Sequence, residues 1–130
     1  MSIPPPEDTA ARWLREAGEE LCAAEVIAEH AEVPERVAGF HAHLGAEKAL
    51  KSLLVLRGVE VPRSHDLVGL GRLLPEEDQD RFDAQDLELL NPWTIDGRYP
   101  ADLPEGDDAE LEAVLAAASR VVTAASVGHP

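Results

Sequence analysis

Two lysines and a histidine stand where one helix would gather them. His41 and Lys48 are seven residues apart, and Lys51 follows three later. On a helix that turns about 100° per residue, the three share a sector roughly 80° wide. Clustered cations of this kind hold a phosphate or a carboxylate. The run Pro62-Arg63-Ser64-His65-Asp66-Leu67 adds Arg63 and a second histidine, with Ser64 as a predicted N-cap and His65 at a helix start, where backbone amides and the dipole favour an anion. Arg98-Tyr99-Pro100 offers a guanidinium for two-pronged contact with an anion, and a ring that packs while keeping its hydroxyl available. In this reading Lys48, Lys51 and Arg98 neutralise phosphate, His65 hydrogen-bonds it, and Tyr99 orders the loop. Each residue also has a plainer role. Lys48 and Lys51 can pair with neighbours such as Glu47, His65 can be a structural cap-region residue, and Arg98 can anchor its loop.

The charge distribution sets these residues apart. The chain carries a net −15. Residues 36–72 hold six Lys or Arg against three acids, a local +3, and three of the five histidines. The flanks carry −7 before Arg36 and −11 after Arg72. So acidic a chain cannot coat DNA through a broad basic surface, but a focused anion site fits. The single Cys22 permits no internal disulfide, as expected of a reducing compartment. No unbroken apolar run approaches the ~20 residues that span a bilayer, and Met1-Ser2-Ile3-Pro4-Pro5-Pro6-Glu7 lacks the features of a signal peptide. The expected location is cytoplasmic.

No cofactor and no metal are expected. His41 and His43 point to different sides of a helix and cannot chelate one ion there. The acidic run Glu76-Glu77-Asp78-Gln79-Asp80 lacks the glycine and terminal glutamate of a calcium loop. Ser64-His65-Asp66 are neighbours in sequence, and neighbours cannot form a hydrolytic triad.

The elements that must position these residues read as helices. Apolar content is 45% but aromatics only 4%, and the apolar residues are mostly Ala, Leu and Val. Pro4-Pro5-Pro6 reads as a stiff, exposed lead-in, making residues 1–6 a flexible Pro-rich segment of a single domain over 1–130. A first helix is predicted from a cap at Asp8 or Thr9 to Glu32-Val33, with Leu14, Ala17, Leu21, Ala24, Ala28 and Ala31 as its apolar stripe. Glu16, Glu19, Glu20, Glu25 and Glu29 fall mainly on its wet side. A second helix runs from Pro34-Glu35 to Gly58. Its small residues Ala38, Ala42, Gly45, Ala46 and Ala49 suit either tight packing within the bundle or a homodimer seam. A short helix follows to Leu74, another runs from Pro75 to Leu90, and Asn91-Pro92 stops it. Residues 93–107 read as irregular. A last helix begins at Asp107 or Asp108 and ends at Gly128, with Leu111, Val114, Leu115, Ala118, Val121, Val122 and Ala125 facing the core. Three long helices and one or two short ones make an all-α, antiparallel up-and-down bundle of four to five helices.

Taken together, Phe40-His41 with Ala46-Glu47-Lys48-Ala49-Leu50-Lys51, then Pro62 to Leu67, then Arg98-Tyr99-Pro100 resemble the HEPN family (higher eukaryotes and prokaryotes nucleotide-binding). Trp13-Leu14 with Ala17 is similar to the family's opening, and the likeness covers roughly residues 9 to 126. The resemblance implies an up-and-down bundle, often dimeric. It implies a nucleotide- or RNA-linked module that works with a separate minimal nucleotidyltransferase, as its substrate-binding partner or toxin counterpart. It also implies an alternative, a metal-independent ribonuclease, for which His65 and Arg98 are the residues at hand. Ribonuclease members carry an Arg, then four to six residues, then a His at the start of the last long helix. Here no His follows Arg98 until His129. Arg36 and His41 match the spacing literally but lie in the second helix, about 140° apart.

Overall fold

The computed structural model describes residues 3–94 and 108–130, with side chains for all of these except 108 and 109. Six helices and no strand are present among them: α1 (Pro6–Ala28), α2 (Glu35–Leu56), α3 (Leu67–Leu73), α4 (Glu76–Gln79), α5 (Ala84–Leu90) and α6 (Asp108–Gly128). The all-α bundle is as expected, with one short helix more.

Prolines and glycines set the boundaries. Helix α1 starts at Pro6 with Pro5 as its cap, three residues before the expected cap at Asp8, because a proline at the first position gives up only an amide that would have no partner. The carbonyl of Pro5 accepts from the amides of Asp8 and Thr9. Its end comes at Ala28, short of Glu32-Val33, as a turn closes from His30 to Val33 before Pro34. Gly58 terminates α2 at φ 73°, a conformation a Cβ disfavours. There the amides of Gly58 and Val59 bond back to the carbonyls of Val55 and Leu54.

Helix α2 packs along α1 on one side and α6 on the other, and α1 also touches α6. Ala10, Ala17 and Ala24 on α1 and Ala38, Ala42, Ala46 and Ala49 on α2 are buried. A Cβ on Gly45 would stand 3.2 Å from the Ala17 carbonyl oxygen and 3.4 Å from the Leu21 amide nitrogen. The small-residue face of α2 is therefore filled by α1 of the same chain. Leu50, Leu53 and Leu54 on α2 are fully buried, each worth about 1.5–3 kcal/mol. From α6, Val114, Ala117, Ala118, Val121 and Ala125 complete the core. Among the described residues one helix, Glu110–Gly128 in α6, is long and apolar enough to cross a membrane by length and composition. The buried stripe on α6 is what a core helix of a bundle also has.

The stretch after Pro75 does not form one helix to Leu90. It stops at Gln79 and resumes at Ala84; within α4, Asp78 is buried and receives two hydrogen bonds from Arg57, at 2.6 and 3.0 Å, and one from Arg81 at 2.9 Å. Asp83 caps α5 through the amide of Gln85. Asp86 of α5 and Arg120 of α6 form a bidentate pair at 2.8 and 2.9 Å. Trp93 lies against Gly39 of α2, where no side chain leaves the ring room. That contact fixes the chain just before residues 95–107.

Candidate functional site

The lysines predicted to share one anion site look in different directions. Lys48 faces α1, where its Nζ donates to Glu20 Oε2 at 3.0 Å and Glu16 Oε1 at 3.3 Å. Across the same gap His41 Nδ1 is 2.9 Å from Glu20 Oε1. Burial works against the charged form of Glu20, but the hydrogen bonds from His41 and Lys48 outweigh it and hold the carboxyl below its usual range. Glu16 and Glu20 thus lie between the helices instead of on the wet side. Lys51 is turned inward: its Nζ donates to Glu47 Oε2 at 3.0 Å, with both residues buried. Each lysine already has a carboxylate of its own.

His65 is exposed, its side chain 72% accessible. Its Nδ1 lies 2.7 Å from Glu47 Oε1. A carboxylate only accepts, so the imidazole donates from Nδ1 and turns its other nitrogen away from Glu47. His43, one helical turn before Glu47, donates from Nε2 to the carbonyl of His65 at 2.9 Å. Its own Nδ1 is buried without a hydrogen-bond partner, 3.8 Å from Glu47 Oε1. Burial, the largest influence, pushes the His43 imidazole below its usual value and keeps it neutral. His43, Glu47 and Lys51 therefore form one turn-by-turn ladder on α2. The ladder grips both the side chain and the backbone of His65.

The other side of the His65 loop is pinned from the end of α5. Asn91 Oδ1 accepts from the Leu67 amide at 2.9 Å, and Asn91 Nδ2 donates to Asp66 Oδ1 at 3.0 Å. Asp66 is held below the usual carboxylate range, first by Asn91 and then by the Gly69 and Val68 amides. The Asp66 amide donates to Ser64 Oγ at 3.1 Å. The predicted free amides at the start of this helix are therefore taken. Asp66 is the capping position, and α3 is only seven residues long. Arg63 is exposed and pairs with no described residue. Arg98 and Tyr99 lie outside the described residues.

Sequence reasoning missed His43 and Asn91. The spacing 43, 47, 51 was the available signal, since residues four apart meet on a helix. A groove of about 510 Å³ elsewhere is lined by Ala28, Val33, Ala38, Leu111 and Leu115 under Glu29, and shares no residue with the His65 cluster. No group of His, Cys, Asp and Glu able to hold a metal is present among the described residues.

The HEPN domain family model matches residues 10–127. The chain belongs to the HEPN family. The crystal structure of TT1696 from Thermus thermophilus is similar to this HEPN chain, with 27% identity and a TM-score of 0.75, covering 91% of this chain and 96% of that one. The archaeal HEPN homologue ST0689 has the same fold at 22% identity and a TM-score of 0.70, over 92% of this chain and 96% of its own. No curated protein matches.

Proposed function

We propose that this HEPN chain is a non-catalytic, nucleotide- or RNA-linked module acting with a separate minimal nucleotidyltransferase, and that His65 and Arg63 are its phosphate-contacting groups. The observation that supports this most is the exposed His65 imidazole gripped by a buried carboxylate that a buried ammonium neutralises. Two buried charges are costly to keep, and one histidine at a loop tip gains a defined orientation from them. Lys48 and Lys51, already neutralised, move from the ligand to the frame. Arg98 and Tyr99 keep their proposed roles through the family likeness. A homodimer belongs to the same reading, on a face other than the one α1 fills. Light scattering at micromolar concentration is then expected to give twice 14.0 kDa.

Calorimetry with ATP at low salt, with the partner present, tests the reading. Removing His65, Arg63 or Arg98 should cost a charge-assisted hydrogen bond, about 1.5–3 kcal/mol or roughly 10- to 150-fold in affinity. Lys48→Ala should leave affinity nearly unchanged, since Lys48 is committed to Glu16 and Glu20 on the α1 side of α2. No binding at millimolar ATP would overturn the reading.

The pairing of His65 with Glu47 favours one second reading. A carboxylate behind an imidazole is the arrangement of a general base, so His65 and Arg98 would be the catalytic pair of a metal-independent ribonuclease. Cleavage of single-stranded RNA in EDTA that is lost in both His65→Ala and Arg98→Ala would select it.

A further inference from the structure

We propose that anion binding at His65 takes up one proton, and that Glu47 is the positioning residue that makes this uptake obligatory. The proposal rests on the reading of His65 as a phosphate contact and adds how that contact is made.

The geometry of the cluster fixes where the hydrogen between Glu47 and His65 sits. Glu47 is nearly fully buried, with Lys51 Nζ on one oxygen and His65 Nδ1 on the other. An ionised carboxylate beside an ammonium has only lone pairs to offer, so the hydrogen between Glu47 and His65 belongs to Nδ1. A neutral imidazole has a single N–H. With Nδ1 protonated, Nε2 is a bare lone pair, and the 72% accessibility of the side chain places that edge in solvent.

A phosphate oxygen is also an acceptor, and two acceptors cannot share a hydrogen bond without a hydrogen. A free surface histidine escapes by changing tautomer, moving its proton to Nε2. His65 cannot do so without turning its Nδ1 lone pair on the buried Glu47 carboxylate at 2.7 Å. The remaining route is to bind a proton at Nε2 from solvent. The imidazolium then donates on both sides, from Nδ1 to Glu47 and from Nε2 to the phosphate. No covalent bond is made or broken. One solvent proton enters for each anion bound.

Other charged groups at the cluster do not supply that proton. From α2, Lys51 is committed to Glu47, and His43 donates its only hydrogen to the His65 carbonyl. From the loop itself, Asp66 accepts from Asn91 at the end of α5, and Arg63 cannot give up a proton. The unpartnered Nδ1 of His43 lies 3.8 Å from Glu47 and is the one competing proton acceptor. It is buried away from the anion, and NMR separates its signal from that of His65.

The test has two arms. In the free protein at pH 8, long-range proton–nitrogen NMR of the imidazoles reads the tautomer. The expected form has His65 protonated at Nδ1. An Nε2–H form overturns the proposal whether or not any ligand binds. In the second arm, ATP binding is measured at pH 8, where its phosphates are fully ionised, in two buffers of different ionisation enthalpy. The wild type should take up close to one proton per bound ATP, and on the alkaline side affinity should fall up to tenfold per pH unit. In Glu47→Gln the side-chain amide serves either tautomer, so ATP should still bind with uptake near zero. Binding without uptake in the wild type, or full uptake in Glu47→Gln, overturns the proposal and leaves the phosphate reading intact. Absence of ATP binding overturns both. If Glu47→Gln fails to fold, wild-type tautomer and wild-type uptake decide.

Discussion

Gly39→Ala should destabilise the protein, although glycine-to-alanine changes inside helices usually help. In an ordinary helix interior the added methyl gains about 1 kcal/mol. Here it would overlap Cε3 on the edge of the six-membered ring of Trp93. Trp93 is only 3% exposed and packs into the core, so it must be pushed out. Losing a buried aromatic from a core costs about 3–5 kcal/mol. The net expectation is a loss of about 2–4 kcal/mol, read by urea denaturation followed by circular dichroism. Trp93→Leu removes the obstacle at its own cost. In that background, adding Gly39→Ala should be neutral or stabilising by up to about 1 kcal/mol, so the two changes couple strongly. If Gly39→Ala alone is as stable as wild type, Trp93 does not hold the chain ahead of Arg98 in the way described. Because that segment carries Arg98 and Tyr99, ATP affinity should fall in Gly39→Ala along with stability.

Three further expectations concern the buried charges. Lys51→Met leaves Glu47 without its ammonium and should cost about 3–5 kcal/mol, while Glu47→Leu with Lys51→Met should recover most of that in the same urea titration. His43 is held neutral by burial, so its folded value lies below the unfolded one. The unfolded chain binds that proton first, and stability should be full above about pH 6.5 and decline as pH falls, with a flatter profile between about pH 7 and 5 in His43→Gln. Asp78 is held below its usual range, chiefly by Arg57. Its contribution is complete above about pH 4 and lost as pH falls through its folded value, so Asp78→Asn should cost about 1.5–3 kcal/mol at pH 7 and progressively less as pH falls below about 4, measured by thermal unfolding across pH.

Local rules carried the long helices. Pro34 and Gly58 bracket α2, and the three-and-four spacing of small and branched apolar residues marks the buried faces of α1 and α6. What local rules could not reach was decided by partners far along the chain. Asp78 is one case: Arg57, twenty-one residues earlier in the chain, holds its carboxylate in a buried place. The helical wheel put His41, Lys48 and Lys51 in one sector, but a sector roughly 80° wide on a central helix faces two neighbours. Lys48 meets α1 and Lys51 meets Glu47, which holds the loop before α3, so their charges never converge. His65 was legible as a candidate from its own segment. Its support was not, because Asn91 reads in sequence as a helix stop, and its two hydrogen bonds reach back more than twenty residues.

The most direct test of an anion site centred on His65 is backbone amide NMR of the protein titrated with ATP at low salt, with the same titration of His65→Gln. Shift changes should centre on residues 62–67 and on His43, Glu47 and Lys51 beneath them, and should vanish in the variant. Changes centred on Glu16, Glu20 and Lys48, or a wild-type response that survives the loss of His65, would contradict the account.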